Sequence, residues 1–392
     1  MDWYVDQFLL RKQSHCLPIH HQLILLPCHT ILPYILVGVV LITAITLILL
    51  TGHKKDKSSY AVGLIITGEK DDSGWNSAHY NGAVTACDKL GTKLIVKENI
   101  PEWSGKCAEA IHELVDEGAG MIILSSYSYS SEVKETIDSY PDIAFYSSSS
   151  EYQAENVTSY FGRMYQARYL TGIIAGMKTE SDSIGYVAAM PNSEVNRGIN
   201  AFTLGVKSIN PNATVYVSWT DSWENAESEQ KAAEALIKNK SVDVITYHQN
   251  QHYTAQTAEK MGVYSIGYNR DVKGLSEKHL TAAVWNWDSL YYQIIREYVQ
   301  GKPNTAERRW FDIDSGVIGL SDFSSFVDND IINAVSKAKN RISSGNDIFS
   351  GEIYDNNGVL RCGENEALTD EMLFENMDWF VDGVEIYDKK NR

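Results

Sequence analysis

The sequence predicts an α/β protein built from two doubly wound units with parallel sheets. After residue 59, short apolar segments that suit strands buried on both faces alternate with amphipathic helical segments. The alternation restarts near residue 183, which indicates a second unit of similar size. Apolar segments return after residue 288, so we expect the chain to pass between the two units more than once.

The elements of both units follow from the period of their apolar residues. In the first unit, we expect strands at 60–67, 93–98, 120–126, 143–148 and 157–161, and helices at about 76–90, 104–117 and 131–140. A helical segment at 163–177 then joins the units. In the second unit, we expect strands at 183–190, 214–219, 242–248, 264–268 and 281–287, and helices at about 194–209, 224–239 and 251–261.

This order of elements predicts two lobes that share their C-terminal segments. The first lobe is expected to contain residues 60–161 and to be completed by part of 288–320. The second lobe is expected to contain residues 162–287 and to be completed by part of 321–388.

The first 59 residues form a separate region with its own pattern. Residues 31–50 are almost wholly apolar, and this length favours a membrane-spanning helix over a buried core segment. Pro33 places the start of that helix near Tyr34. The apolar segment is too long, and starts too late, for a typical cleaved signal peptide. We therefore expect an N-terminal tail over 1–33, a transmembrane anchor over 34–51 and a tether over 52–59.

Composition and charge exclude some function classes. The 392 residues are 44% hydrophobic and 22% charged, which is typical of a folded globular protein. The net charge is −17, and no basic stripe is interleaved with aromatic residues, so nucleic acid is not an expected partner. The 5 cysteines indicate no disulfide framework, although a bond between Cys87 and Cys107 stays open.

The motifs of the common enzyme classes are missing. The sequence has no GxSxG nucleophile elbow and no GxxxxGK[ST] phosphate loop. The segment His112–Asp116, "HELVD", begins like a zinc motif but has aspartate where the second histidine is required. Asp71 and Asp72 are adjacent acids, but acids in a turn or at a helix start are more common than a catalytic pair. We therefore predict a protein that is not an enzyme and that needs no metal or cofactor.

Aromatic and amide side chains concentrate where the predicted strands end, which is where parallel α/β sheets bind their ligands. Trp75 follows the first strand in the polar segment "GEKDDSGWN", and Trp223 has the corresponding place in the second unit. A tryptophan at such a position either packs on the start of the next helix or stacks on a flat ligand. The other candidate ligand-binding residues are Asn76, Tyr127, Tyr129, His248, Gln249, Asn250, Asn269, Asp271 and Trp285.

Residues 156–237 closely resemble the basic membrane protein family, whose members are substrate-binding proteins of ABC transporters and include purine nucleoside receptors. The resemblance extends over roughly 60–388, because further motifs match in order: "DDSGWN", "SIGYNRD", "VWNWDSLYY" and "FSGEIYDNNG". It implies the type I periplasmic binding protein fold, in which two lobes joined by a hinge close on a ligand.

The resemblance also implies a function and a site. In the purine-binding relatives an aromatic residue from each lobe sandwiches the base, and Trp75 and Trp223 match these two positions. The implied protein is anchored in the cell membrane by a single span, binds a purine nucleobase or nucleoside outside the cytoplasm, and delivers it to an ABC permease. A membrane-tethered purine sensor or regulator without transport is the alternative hypothesis.

Two features depart from the family pattern. Family members are typically lipoproteins, yet residues 49–55 contain no lipobox cysteine, so a transmembrane anchor would replace the lipid. Nucleoside-binding relatives have a lysine near the position of Trp285, and its loss favours a free nucleobase as the ligand.

Overall fold

The computed structural model describes residues 60–72, 74–150, 152–303 and 306–387. The predicted tail, anchor and tether lie outside these residues. Among the residues that are described, no helix is long and apolar enough to cross a membrane.

Two sheets form the framework of the described residues, and β12 runs antiparallel to β10 while the other paired neighbours in both sheets run parallel. The first sheet has the order β11-β5-β4-β3-β1-β2 and contains β1 (Ala61–Ile65), β2 (Lys93–Lys97), β3 (Ala119–Leu124), β4 (Ala144–Ser148), β5 (Val157–Gly162) and β11 (Arg308–Phe311). The second has the order β12-β10-β9-β8-β6-β7-β15 and contains β6 (Ser183–Ala188), β7 (Thr214–Trp219), β8 (Val244–His248), β9 (Tyr264–Asn269), β10 (His279–Trp285), β12 (Ile318–Leu320) and β15 (Val384–Ile386). A separate hairpin pairs β13 (Ile353–Tyr354) with β14 (Leu360–Cys362).

Helices cover the sheets, and most begin within two residues of their predicted starts. The predicted helix at 131–140 is divided into two short pieces at Val133, whose backbone is not helical. The helices are α1 (Trp75–Leu90), α2 (Lys106–Asp116), α3 (Tyr129–Glu132), α4 (Lys134–Asp138), α5 (Met164–Lys178), α6 (Ser193–Lys207), α7 (Ala226–Lys240), α8 (Tyr253–Met261), α9 (Trp287–Val299), α10 (Asn329–Ser343) and α11 (Asp370–Glu375), with a 3₁₀ turn at Ile313–Ser315.

The chain passes between the two sheets at three places within the described residues. It leaves β5 for α5, which packs on α6 beside the second sheet, and it leaves β10 for α9, which packs on α1 beside the first. The third passage joins β11 to β12. The predicted α/β class with parallel sheets is confirmed, and the predicted hinge would lie at these passages.

The two helices that follow the first passage lie unusually close together. A Cβ atom on Gly205 of α6 would come within 2.1 Å of the backbone oxygen of Tyr169 in α5. Two helix backbones approach this closely only where a side chain is missing, so glycine at this position allows α5 and α6 to pack in contact. The same helix pair contributes to the main hydrophobic core through buried residues that include Phe202 and Ile173.

Candidate ligand-binding site

A cavity of about 780 Å³ lies where strands of the two sheets end. Its lining comes from both sheets, as expected for a ligand site at the carboxyl ends of parallel strands. The lining residues within two positions of the carboxyl end of a strand include Thr67, Ser126, Ser148, Ser149, Phe161, Met190, Asn250 and Asn269.

Trp75 lines this cavity and is also the first residue of α1. Its indole Nε1 donates a hydrogen bond of 3.0 Å to the backbone oxygen of Ser125, directly after β3. Its ring meets the ring of Trp287 edge to face, with 5.3 Å between ring centroids, and lies 4.3 Å from the ring of His79. Trp75 therefore packs at the helix start, and it also lines the cavity in which a flat ligand would stack on it.

Asp72 orders the loop that leads to Trp75. Its carboxylate accepts hydrogen bonds from backbone N–H groups at the start of α1, including that of Gly74 at 2.8 Å, and from the side chain of Asn76 at 2.8 Å. The Oδ1 of Asn76 accepts from the N–H and the hydroxyl of Thr67, both at 3.0 Å. Asn76 is thus buried behind the cavity, where it holds the Trp75 loop in place.

Trp223 lines the same cavity from the loop between β7 and α7. Its backbone oxygen accepts a hydrogen bond of 2.9 Å from the N–H of Asn250, which is itself a lining residue. Its ring centroid lies 6.1 Å from that of His248. Each sheet therefore presents one tryptophan to the cavity, both on loops after strands.

The other predicted site residues divide into two groups. Those that line the cavity are Tyr127, Asn250 and Asn269. The second group lies away from the lining: the Tyr129 hydroxyl bonds to the Ile100 oxygen, Gln249 bonds to Thr220, Asp271 pairs with Lys273, and Trp285 stacks on Trp287 at 4.6 Å.

His248 also belongs to the layer behind the cavity. Its ring is buried and lies 4.2 Å from the ring of Tyr268, which lines the cavity. Burial is the main cause that lowers the pKa of His248 to about 4, so this histidine is neutral near pH 7. Its Nε2 lies 3.8 Å from the carboxylate of Glu194, another lining residue.

Charged residues that the sequence analysis did not single out also line the cavity. Glu102 accepts hydrogen bonds from the hydroxyl of Ser126 at 2.6 Å and from the N–H of Ser128 at 2.9 Å. Arg197 is buried, and this burial lowers its pKa. Its guanidinium donates a hydrogen bond to the backbone oxygen of Leu373. Its segment, "NSEVNR", follows β6. The strand-end rule, by which residues that follow the strands of a parallel sheet are candidates for ligand binding, identified Trp75 and also applied here.

The C-terminal segment forms a further wall, through Phe374, Met377 and Asp378. The Asn196 side chain donates to the backbone oxygen of Met377 at 2.8 Å, and the Asn200 side chain donates to that of Trp379 at 2.9 Å. These bonds connect residues about 180 positions apart in the chain. No local sequence signal marks such contacts.

Comparison with known proteins agrees with this architecture. A purine-binding protein of Brucella abortus is 29% identical over 344 residues, which are 86% of this chain and 96% of that protein. A putative ABC transporter glucose-binding protein of Haloferax volcanii is 31% identical over 320 residues, 81% of this chain and 78% of that protein. The solved structure of an ABC transporter solute-binding protein from Conexibacter woesei shares the fold, with a TM-score of 0.61 at 18% identity over 73% of this chain and 97% of that chain.

A sequence profile described as "ABC transporter substrate-binding protein PnrA-like" matches residues 60–353. The family predicted from the sequence motifs is thus confirmed. The chain belongs to the Bmp family of ABC transporter substrate-binding proteins, which are solute-binding proteins and not enzymes.

Proposed function

We propose that this substrate-binding protein captures a purine, as nucleobase or nucleoside, between Trp75 and Trp223 and delivers it to an ABC permease. The observation that supports this most strongly is that each sheet contributes one tryptophan to the same cavity. Stacking a base on an aromatic ring is worth roughly 1–3 kcal/mol per base, and every purine has the flat face that such stacking needs. The purine-binding relative in Brucella supports the same ligand class.

Polar groups around the two rings would then select among purines. Asn250, Asn269 and Glu102 line the cavity and offer hydrogen-bond partners to the edge of a base or to ribose hydroxyls. A ligand that leaves such groups unpaired in a closed site loses affinity, so these residues decide which purine is accepted.

A hexose is the second candidate ligand, because the relative in Haloferax is named a glucose-binding protein. We further propose that residues 34–51 anchor the protein in the cell membrane, as the length of the apolar segment indicates. The binding lobes would lie outside the cytoplasm, where a protein that delivers a solute to an uptake permease must bind it. The sensor hypothesis uses the same binding site, and genes for a permease and an ATPase beside this one would favour transport.

Small molecules released from the purified full chain identify the ligand most directly. We expect mass spectrometry to find a purine, and calorimetry with adenine, guanine, hypoxanthine and their nucleosides to give saturable binding. Glucose is included in the same titrations because a hexose is the second candidate ligand. Trp223→Ala, which lacks one of the two rings, should bind the purines more weakly than the wild-type chain. Release of a sugar, with glucose binding and no purine binding, would contradict the proposed ligand class while leaving the solute-binding family unchanged.

A further inference from the structure

The loop that holds Trp75 touches the loop after β8 across the boundary between the sheets, and the loop after β8 is bonded in turn to the Trp223 loop. The side chain of Gln251, in the loop after β8, donates a hydrogen bond of 2.9 Å from Nε2 to the backbone oxygen of Asp72, in the loop after β1. Gln251 is only 8% exposed, so this bond is largely shielded from water. A second-sheet loop is thereby bonded to a first-sheet loop.

The contact leaves no room for a side chain at residue 74. A Cβ atom on Gly74 would lie 2.9 Å from the backbone oxygen of Asn250 and 3.0 Å from Nε2 of Gln251. Rotating a side chain does not relieve a clash with a backbone atom, so any larger residue would push the two loops apart. The absence of a side chain at Gly74 is therefore a condition for this contact.

Each end of the contact continues to one of the tryptophans. On the first-sheet side, the Asp72 carboxylate accepts from backbone N–H groups at the start of α1, where Trp75 is the first residue. On the second-sheet side, Asn250 precedes Gln251 and donates its N–H to the backbone oxygen of Trp223 at 2.9 Å. The two tryptophan loops are thus connected through bonded neighbours.

We propose that the bond between Asp72 and Gln251, together with the small size of Gly74, sets the separation of Trp75 and Trp223 and so holds the ligand between them. This inference rests on the proposed function. Asp72, Gly74 and Gln251 do not line the cavity, so they are positioning residues that act through the two rings. Because the ligand leaves only after the loops separate, losing the contact should speed release more than it slows capture.

Two variants of the full chain test the proposal, with adenine and adenosine as probes. We expect Gln251→Ala to raise the dissociation rate by about tenfold, the effect of losing one shielded hydrogen bond, and to change the association rate by less than about twofold. We expect Gly74→Ala to raise the dissociation rate further, since the added methyl group separates the two loops. The melting temperature of both variants without ligand should stay close to wild type, because neither Gly74 nor Gln251 belongs to the hydrophobic core.

Matched controls exclude a general effect of each substitution. Gly319→Ala adds a methyl group whose nearest neighbour is the Asn286 side chain at 3.8 Å, an ordinary contact. Gln300→Ala removes an exposed glutamine at the end of α9. Both controls should release the probes at the wild-type rate. A faster dissociation rate in either control would mean that replacing any glycine or glutamine by alanine has this effect, whatever its contacts.

The outcomes separate this inference from the proposed function. Wild-type dissociation rates in both Gln251→Ala and Gly74→Ala would overturn the inference while leaving the purine ligand in place. If the wild-type chain binds adenine or adenosine too weakly to measure, the purine of the calorimetry panel that binds best replaces them as the probe. If it binds no purine of that panel, the proposed function fails instead, and hydrogen exchange in the ligand-free chain decides the inference. Gly74→Ala should then raise exchange at residues 74–77 and 249–251 together, and unchanged exchange would refute the connection.

Discussion

The indole nitrogen of Trp75 lies 3.0 Å from the backbone oxygen of Ser125, to which it donates a hydrogen bond. This bond ties the first residue of α1 to the end of the neighbouring strand β3. The ring is held further by its edge-to-face contact with Trp287. Because the ring is fixed before a ligand arrives, stacking on it loses little side-chain entropy.

The first prediction compares two substitutions of Trp75. Trp75→Phe keeps an aromatic face but loses the bond to Ser125, so we expect a smaller loss of purine affinity than the roughly 1–3 kcal/mol of Trp75→Ala. Trp75→Ala should also lower the free energy of unfolding by about 2–4 kcal/mol, because the ring packs on the core. Calorimetry and denaturant unfolding measure the two effects separately. Equal affinity of Trp75→Ala and wild type would limit Trp75 to a structural role.

The second prediction concerns pH and the buried Glu229 in α7. Its carboxyl accepts a hydrogen bond of 3.2 Å from the N–H of Asn225, but burial dominates and raises its pKa to about 8. The folded protein therefore keeps a proton that the unfolded chain, with an ordinary pKa near 4.5, releases. Folding stability from this group is present below pH 4.5 and is lost as the pH rises toward 8.

Glu229→Gln removes this dependence, since the amide is uncharged at every pH. We expect it to raise the free energy of unfolding at pH 8 by on the order of 1–3 kcal/mol and to have little effect at pH 5. Glu234→Gln on the exposed side of the same helix is the control. A gain that is the same at both pH values would show that the carboxyl of Glu229 does not titrate in this range.

The third prediction tests the close approach of α5 and α6. Gly205→Ala places a methyl group 2.1 Å from the backbone oxygen of Tyr169, and only a shift of one helix relieves it. We expect a loss of at least about 1–3 kcal/mol in the free energy of unfolding, the usual cost of overpacking. Gly319→Ala serves as the control. A denaturation midpoint equal to wild type would mean that the helices separate at no cost.

Much of this architecture is predictable from the sequence, because strands buried on both faces leave an unmistakable pattern. In β1 (Ala61–Ile65) every residue is buried, and the sequence "AVGLI" shows the continuous apolar run expected of a central parallel strand. The positions of Trp75 and Trp223 follow from the same rule, since each comes after a predicted strand. The rule places residues at the correct edge of a sheet.

The strand-end rule does not decide which way a side chain points. Trp285 ends β10 but turns away from the cavity to stack on Trp287, and the Tyr129 side chain is fully buried. The wall formed by Phe374 and Met377 depends on hydrogen bonds from α6, almost two hundred residues earlier. Such contacts come from packing of the complete chain, so no local pattern announces them.

The fourth prediction concerns the apolar segment at 34–51. If it spans the membrane, the full chain should remain with membranes through a high-salt wash, because burial of apolar residues in lipid does not weaken with ionic strength. A chain that begins at Lys57 should be recovered as soluble protein. Release of the full chain by salt alone would contradict the anchor and indicate an electrostatic attachment.

The central claim is that one purine lies between Trp75 and Trp223, and a double-mutant cycle measured by calorimetry tests it most directly. We expect Trp75→Ala and Trp223→Ala each to weaken binding of the purine by roughly 1–3 kcal/mol. Because both rings act on one ligand, the loss in the double variant should differ from the sum of the single losses. Wild-type affinity in both single variants, or losses that add without interaction, would contradict the claim.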